Sequence, residues 1–375
     1  MARTIIGIND PKAVQRFSAF LAVDTARISY FSRKFMGVGP ESGMPIQMLS
    51  ELESDAGEQI SFDLSMQLRQ QPVEGDDPQE GSEEDLRFFT DAVFIDQMRG
   101  GVNTGGRMTR KRTVHNLRRV ARRRQSEWWG RVFDELFFMY LSGARGINAD
   151  WVFPTTYAGF ATNTLDAPDT GANGHIIFAG AATAKADLVV GDILDTIAID
   201  KARTRGTVLG GGSEGIPQIQ PIMIDGEEHF VLIIHPWQLF DLRTATGSAD
   251  WLEIQKSAAS AEGRNNPIFK GGAGMYNSVV LQEHKGVVRF NDYGAGANIA
   301  AARALLLGAQ ASVVAFGSPG TGLRFDWYEE TRDNGNQVVI STSSIFGLKK
   351  TRYTIDGTAR DFGIIALDTA AADPT

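Results

Sequence analysis

The sequence predicts an α+β fold in a chain with more than one structural unit. Helix-period and strand-period stretches are segregated along the chain rather than alternating as βαβ units. The 41 glycines indicate many turns and irregular connections rather than a helical bundle. At 375 residues the chain exceeds one average domain, so two or three lobes are expected.

The composition is ordinary for a soluble globular protein, with 42% hydrophobic and 22% charged residues. The net charge of −8 offers no overall attraction to nucleic acid or anionic membranes, so any contact with DNA has to be local. The absence of cysteine excludes disulfides and thiolate metal sites. Because no apolar run is long enough for a signal sequence or a membrane span, we expect a soluble intracellular protein without membrane contact.

The first hundred residues are expected to hold an arm and a hairpin. An amphipathic stretch around Phe17 predicts an N-terminal arm over residues 1–45, with one short helix and an otherwise extended course. Apolar and polar residues alternate over Glu58–Leu68, which predicts a half-buried strand, and a second strand-like run covers Leu86–Met98. We expect a long antiparallel hairpin that needs a surface to lie on, because an isolated hairpin is barely stable in water.

Two oppositely charged segments follow each other closely. The acidic segment, at the tip of the hairpin, contains seven acids and no base: Glu74, Asp76, Asp77, Glu80, Glu83, Glu84 and Asp85. The basic segment, Arg107 to Arg124, contains nine bases and no acid. Its candidate contact residues are Arg112, Arg118, Arg119, Arg122 and Arg123. An extended acidic loop, followed by a helix whose first half is basic, indicates a subunit that contacts its neighbours.

A hinge and a very long helix are predicted around the basic segment. The glycines Gly100, Gly101, Gly105 and Gly106 predict a flexible hinge. Thr109 is the expected helix N-cap and Gly143 the expected stop, with apolar residues at three- and four-residue steps between them. At 1.5 Å per residue this helix would be roughly 50 Å long. Its second half is apolar nearly all round and should lie in the core.

The remainder is predicted to form a mixed lobe and closing strands. Helices are expected from a Thr183 cap to a point before Gly206, from Pro236 through Leu242, over Trp251–Ala261, and over Asn298–Leu307. Strands are expected at His229–Ile234, Val279–Leu281, Val287–Phe290, Leu323–Glu330, Gln337–Ile345 and Ile364–Leu367, with a tight hairpin at Asn334-Gly335.

The motifs that would indicate catalysis are not found. Gly317–Gly322 is glycine-rich, but the lysine and hydroxyl that a phosphate-binding loop needs do not follow it, and a strand comes next. The five histidines lack metal-ligand spacing. We therefore predict that the protein is not an enzyme and uses no cofactor or metal.

Three interpretations of the basic segment stay open at this point. A solvated helix face is the commonest explanation of a charge run, although like charges at i, i+4 destabilise a helix. The segment could bind DNA phosphates, and such binding would be salt-sensitive and limited to the backbone because no aromatic residues interleave with the bases. It could instead neutralise the acidic segment of a neighbouring copy.

The order of arm, hairpin, hinge, long helix, mixed lobe and closing strands resembles the Hong Kong 97-type capsid subunit of tailed bacteriophages. Short motifs across nearly the whole chain look like those of major capsid proteins of the coliphage N-four type. These motifs are Pro45–Leu49, Gly57–Phe62, Glu80–Glu84, Val93–Gln97, Arg112–His115, Ile234–Trp237 with Leu242, and Phe269–Met275. Their order makes the set specific.

The resemblance implies a domain scheme: an N-terminal arm (1–45), an extended hairpin loop (46–105), a peripheral domain with the spine helix (106–180), an axial domain (181–320) and closing strands of the peripheral domain (321–375). It implies a major capsid protein of a tailed double-stranded DNA phage. Many copies would assemble in the host cytoplasm into pentamers and hexamers of an icosahedral virion head. One heterologous interface can serve both kinds of ring.

Two departures from the family pattern bear on partners. No lysine occurs between Lys34 and Lys111, which disfavours covalent cross-linking through the loop. No long N-terminal coiled coil is present, so the resemblance implies a separate scaffolding protein, besides a portal, an optional decoration protein and non-specific contact with packaged DNA. The alternatives are an encapsulin-like nanocompartment shell, which packages enzymes, and a nucleic-acid-binding protein that uses the basic segment.

Overall fold

The computed structural model describes residues 11–374 apart from positions 40–41, 54–56, 69, 77, 172, 211–215, 225, 246–272 and 319–323. It has the predicted α+β character. Within these residues the α-helices are α1 (Pro11–Ile28), α2 (Tyr30–Lys34), α3 (Arg107–Arg112), α4 (Leu117–Ser142), α5 (Thr196–Val208) and α6 (Pro236–Ala245).

The strands are short in the first half of the chain and longer in the second. They are β1 (Met36–Val38), β2 (Ile46–Leu49), β3 (Gln59–Ser65), β4 (Phe88–Phe94), β5 (Asp96–Asn103), β6 (Gly159–Phe160), β7 (Asn163–Thr164), β8 (Ile176–Phe178), β9 (Ile222–Ile224), β10 (Glu227–Ile234), β11 (Gly274–Tyr276), β12 (Val279–Glu283), β13 (Arg289–Tyr293), β14 (Ile299–Leu307), β15 (Ser312–Gly317), β16 (Phe325–Arg332), β17 (Gln337–Lys350), β18 (Arg352–Ile355), β19 (Thr358–Asp361) and β20 (Ile364–Ala370).

Two mixed sheets contain most of these strands. The six-stranded sheet has the order β1-β2-β15-β17-β16, and β5 also pairs with β17. The eight-stranded sheet has the order β11-β12-β10-β14-β20-β8, with β13 on β14 and β9 on β10. The closing strands therefore divide between the sheets: β16 and β17 lie in the first, and β20 pairs with β14 in the second.

The second half of α4 lies in the core, as predicted. Phe133 packs on Phe346 of β17 with ring centroids 4.7 Å apart. The indole Nε1 of the fully buried Trp129 donates to Thr342 Oγ1 at 2.9 Å, so burial leaves that donor satisfied. The helix ends at the predicted stop, Gly143, whose φ of 68° is a left-handed conformation that glycine adopts without strain.

The predicted position at which the long helix begins is wrong. After α3 the chain leaves helical geometry at Thr113, which has φ −95° and ψ 140°. A new helix, α4, then begins behind Asn116, whose side chain accepts a hydrogen bond from the Arg119 backbone N–H at 3.2 Å. Thr113 and the next residue are β-branched, and like charges flank them, so this stretch favours helix weakly. Asn116 rather than Thr109 is the cap of the long helix.

Two further helix predictions need correction. α5 begins at Thr196 with Asp195 as its cap, not at Thr183, and Gly206 lies inside it. The run predicted as a helix at 298–307 forms strand β14, which pairs on one side with β10 and on the other with β20. A strand buried on both faces has a continuous apolar sequence without alternation, which hides its period.

Other sequence predictions for the mixed lobe are confirmed. β10 contains the predicted strand at His229–Ile234, and α6 opens at Pro236. β16 and β17 pair as the predicted antiparallel hairpin, with Asn334 and Gly335 at positive φ in its turn. The helix predicted over Trp251–Ala261 lies outside the described residues.

The N-terminal arm is more folded than predicted. α1 alone has 18 residues, and α2, β1 and β2 follow it. Phe31 is fully buried and packs on Phe138 of α4 with centroids 4.8 Å apart. The Asp134 carboxylate of α4 accepts hydrogen bonds from Ser29 Oγ at 2.8 Å and from the Tyr30 N–H at 2.9 Å. The arm is therefore part of the main core.

β3 and β4 form the predicted antiparallel hairpin. The β3–β4 ladder with the adjoining Arg87, here called the hairpin base, rests on its own chain. Phe62 belongs to an apolar cluster with Tyr353 and Phe362. Arg87 pairs with Asp356 at 2.7 Å. The base therefore has the supporting surface that the hairpin was expected to need, and its own chain supplies that surface. Only the part beyond the β3–β4 ladder projects.

Candidate assembly surfaces

The acidic segment lies in the projecting connection between β3 and β4. Its described acids, Glu74, Asp76, Glu80, Glu83, Glu84 and Asp85, are all exposed, and Asp77 lies outside the described residues. Glu84 accepts from the Gln70 N–H at 2.7 Å, and Glu83 accepts from the Gly81 N–H at 2.8 Å. These local bonds to backbone N–H groups order the loop, and the exposed carboxylates give it a concentrated negative charge that faces outward.

The basic segment spans α3, the break after it and the first turns of α4. Arg118 Nε donates to the buried Glu329 at 2.6 Å, and Arg122 lies 3.6 Å from Asp24 of α1. Arg123 pairs with Glu127, one helical turn further on, at 3.1 Å. Three of the five predicted contact arginines therefore have partners in their own chain.

Arg112 and Arg119 differ from these three. Arg112 is the last residue of α3 and Arg119 lies in the first turn of α4, and both are exposed. Neither side chain has an ion pair within the described part of the chain. Of the five predicted contact arginines, these two are therefore the ones whose charge can pair with a group on another molecule. The sequence could not reveal the partners of Arg118 and Arg122, since Glu329 and Asp24 are distant along the chain, whereas Arg123 and Glu127 have the i,i+4 spacing of one helix.

The predicted hinge glycines have two different settings. Gly100 and Gly101 lie inside β5, paired with β17 residues, so the backbone there is held in a ladder rather than free to bend. A Cβ at Gly100 would lie 2.6 Å from the ring of Trp128, so close packing explains this glycine. Gly105 has φ +77° and Gly106 precedes α3. A hinge at these two positions stays a prediction.

Buried ion pairs are the polar feature that sequence reasoning missed. Arg303 of β14 donates to both oxygens of Asp368 in β20 at 2.7 Å, and Tyr293 donates to the same carboxylate at 2.6 Å. Lys350 donates to Asp361 at 2.9 Å, with both side chains almost fully buried. No local motif marks such pairs, because their partners meet only when the strands assemble.

A cavity of about 400 Å³ lies between α4 and the β12–β13 connection. Burial raises the pKa of Asp134, which lines it, to about 6, and lowers the pKa of His235 and His284 to about 4. The two imidazoles are therefore neutral at pH 7. Asp134 and Glu135 both accept backbone N–H groups, the latter from Val152 at 2.8 Å. These carboxylates hold chain segments together.

Two negative findings apply to the residues that the structure describes. No group of three or more histidine, aspartate or glutamate side chains is placed to hold a metal ion among them. Within the same residues, no helix combines the length and the apolarity that crossing a bilayer requires.

The comparisons with known proteins agree with one another. A family model described as phage capsid protein matches residues 5–373. The major capsid protein of Pseudomonas phage KPP25 is 27% identical over 365 residues, which cover 92% of each chain. The structure of the capsid of Ralstonia phage GP4 matches with 49% identity, full coverage of both chains and a TM-score of 0.85.

A more distant structure shows the same fold. The Cyanophage Pam1 capsid asymmetric unit is 19% identical, covers 92% of this chain and 93% of its own, and superposes with a TM-score of 0.68. The resemblance to phage capsid proteins that the motifs indicate is confirmed, whereas the narrower likeness to the coliphage N-four type stays a prediction. A family match over almost the whole sequence and a capsid 49% identical over its full length place this chain in the phage capsid protein family.

Proposed function

We propose that this phage capsid protein forms the icosahedral head of a tailed double-stranded DNA phage by assembling into pentamers and hexamers. The observation that carries the proposal is the match to the capsid of Ralstonia phage GP4, at 49% identity over the full length of both chains. The runner-up is an encapsulin-like shell that packages enzymes. It stays secondary because the matched relatives are phage proteins.

The proposal includes a contact between neighbouring subunits. The acidic segment of one copy lies against the basic segment of the next, where Arg112 and Arg119 have no ion pair among the described residues. Opposite charges across an interface steer association and set its register. The hairpin base is anchored on its own chain through Phe62 and Arg87, so the projecting tip is held out toward that neighbour.

The domain scheme and the remaining partners belong to the same proposal. Residues 46–105 act as the extended loop, 106–180 with 321–375 as the peripheral domain, and 181–320 as the axial domain. Assembly takes place in the host cytoplasm with a separate scaffolding protein and a portal. The packaged DNA is touched only through its backbone, because no aromatic residues interleave with the bases of the basic segment.

Electron microscopy of the purified protein tests the main proposal. We expect closed shells of uniform diameter with five- and six-fold capsomers. Particles from infected cells should contain double-stranded DNA and one portal. Particles filled with an enzyme and free of DNA would favour the encapsulin-like alternative. A chain that stays monomeric at all concentrations, with and without its scaffolding protein, would contradict both.

Charge reversal tests the inter-subunit contact. The triple variant Glu74→Lys, Asp76→Lys and Glu80→Lys should strongly reduce shell yield, and adding Arg112→Glu and Arg119→Glu should partly restore it, because the pairs are re-formed with opposite sign. The matched control, Glu58→Lys, Glu228→Lys and Glu283→Lys, changes net charge equally at exposed sites elsewhere. Normal shells from the first triple variant would show that the acidic segment does not make this contact.

A further inference from the structure

A second cavity, of about 380 Å³, lies beneath the junction of α3 and α4. Its apolar floor is formed by Leu117 and by Val338 and Ile340 of β17. Arg110 and Arg118 supply basic groups to its walls, and His115 and Glu329 line it as well. The cavity lies at the break in the predicted long helix, and residues of α3, of the break and of α4 line it together.

Arg110 has an unmet hydrogen-bonding requirement in this cavity. Its Nη2 donates to the Asn336 carbonyl oxygen at 2.9 Å. Its Nε is buried and has no acceptor within the described part of the chain. A buried donor on a charged group is costly when it stays unsatisfied. An acceptor from outside the chain reaches this atom when the guanidinium turns toward the cavity, and that contact would remove the cost.

Glu329 is the carboxylate that lines the same cavity, but it is already engaged. It is 4% exposed, and its Oε1 accepts from Arg118 Nε at 2.6 Å and from Trp327 Nε1 at 2.9 Å. Two arginines therefore line a cavity with one carboxylate. The exposed Lys111 and Arg112 of α3 add positive charge close by. The cavity keeps a net positive character that suits an anion.

We infer that this cavity binds a carboxylate, and that a side chain of the acidic segment of a second copy supplies it. The inference rests on the proposed function, since a shell is what holds copies side by side. Glu74, Asp76, Glu80 and Asp85 are exposed and make no side-chain hydrogen bond or ion pair with other described residues.

An acidic side chain fits this space better than a DNA phosphate does. The methylene stem of a glutamate can lie on the apolar floor while its carboxylate reaches Arg110. A phosphate of duplex DNA sits on a stiff backbone and cannot enter a recessed cavity as a side chain on an extended loop can. The site therefore selects a protein ligand.

Disulfide trapping tests the inference directly, because the chain has no cysteine of its own. His115→Cys is combined in turn with Glu74→Cys, Asp76→Cys, Glu80→Cys or Asp85→Cys, and assembled shells are oxidised and run on a non-reducing gel. At least one pair should give covalent multimers up to ring size. Glu283→Cys in place of His115→Cys should give none.

The outcomes separate the inference from the proposed function. Shells that form normally while no pair cross-links would overturn the inference and leave the proposed function standing. Failure of the unaltered chain to form shells under any condition would defeat the proposed function itself.

A second variant tests the role of the guanidinium. Arg110→Met keeps the length and removes the donor, and we expect shell yield to fall about tenfold or more, as loss of a charge-assisted hydrogen bond would cause. Arg332→Met is the matched control, since Arg332 is exposed and pairs with Glu330 of its own chain. Circular dichroism of both unassembled variants verifies folding. If Arg110→Met shells form normally but release DNA at lower salt, a phosphate is the ligand and the inference is wrong.

Discussion

Gly347 shows how much a single missing side chain can matter. It lies in β17 where the hairpin base crosses, and a Cβ added there would lie 1.9 Å from the Phe94 carbonyl oxygen. Its φ is not in the left-handed region, so the close approach of two backbones, not conformational freedom, requires glycine. This contact fixes where the hairpin leaves the body of the subunit.

We predict that Gly347→Ala lowers the free energy of unfolding by about 1–3 kcal/mol or more, because the methyl group must push two strands apart. Urea unfolding of the unassembled chain, followed by tryptophan fluorescence, measures the change. Gly191→Ala is the control, since nothing lies within 4 Å of a Cβ there, and it should stay within about 0.5 kcal/mol. Equal stability of the two variants would contradict the close crossing of β17 and the Phe94 backbone.

His284 makes a pH-dependent contribution to stability. Burial lowers its pKa to about 4, below the usual 6.5. Between those values the unfolded chain binds a proton that the folded chain does not, so the stability from this group is lost as the pH falls through that window. Asp134, whose pKa is raised to about 6, acts in the opposite direction.

His284→Gln should therefore reduce the loss of stability between pH 7 and pH 5 by about 2 kcal/mol. The measurement is the urea midpoint of the unassembled chain at both pH values. Asp134 is unchanged in the variant, so its contribution cancels in the comparison. His115→Gln, at an exposed position, is the control and should keep the pH dependence of the parent chain. A variant with undiminished acid sensitivity would show that His284 does not carry this effect.

At the scale of elements, the break between α3 and α4 is the feature with most consequence. It divides the basic segment, and it opens the cavity beside β17. The second helix depends on Asn116, which caps α4 through its side chain. Two helices joined by a non-helical connection replace one continuous helix. The basic residues of α3 therefore need not point in the directions that a continuation of α4 would give them.

Asn116→Ala should lower the free energy of unfolding by about 1 kcal/mol, because the Arg119 N–H loses its acceptor. Asn116→Asp keeps a capping oxygen and should be close to neutral. Thermal or urea unfolding of the two variants provides the comparison. If Asn116→Ala is as stable as Asn116→Asp, the cap does not hold the start of α4.

Some elements could be predicted from sequence and others could not, for identifiable reasons. The sequence predicts β3 correctly because its two faces differ in polarity, and it predicts the second half of α4 correctly because the apolar run ends in a strong glycine stop. It predicts a helix in place of β14 because alanine and leucine favour helix and both edges of this strand are covered by neighbours. Pairing with β10 and β20 overrides that local preference.

At the scale of the whole molecule, we predict that the projecting loop is dispensable for folding and needed for assembly. Among the residues that the structure describes, the apolar clusters of the body contain the hairpin base but none of the acidic segment. Replacing residues 70–84 by a short glycine-rich turn should change the free energy of unfolding by no more than about 0.5 kcal/mol. The same variant should form no closed shells.

Urea unfolding and electron microscopy on one preparation test this pair of expectations. Deletion of the exposed residues Thr183–Asp187 is not a suitable control, because hydrogen bonds to Asp187 order the chain there. The charge-matched triple variant at Glu58, Glu228 and Glu283 is the suitable one. Shells of normal size from the loop-deleted chain would mean that assembly relies on other surfaces.

The sequence by itself determined the fold class, the charged segments, the core half of α4 and the likeness to phage capsid proteins. These features are written locally, in periodicity, charge runs and short motifs. Only the tertiary structure decided that Arg118 and Arg122 are already paired, that Gly100 packs on Trp128, and that Arg110 Nε lacks an acceptor among the described residues. Such facts depend on which side chains meet when the chain folds, and a contact between residues far apart in the chain leaves no signal in a single sequence.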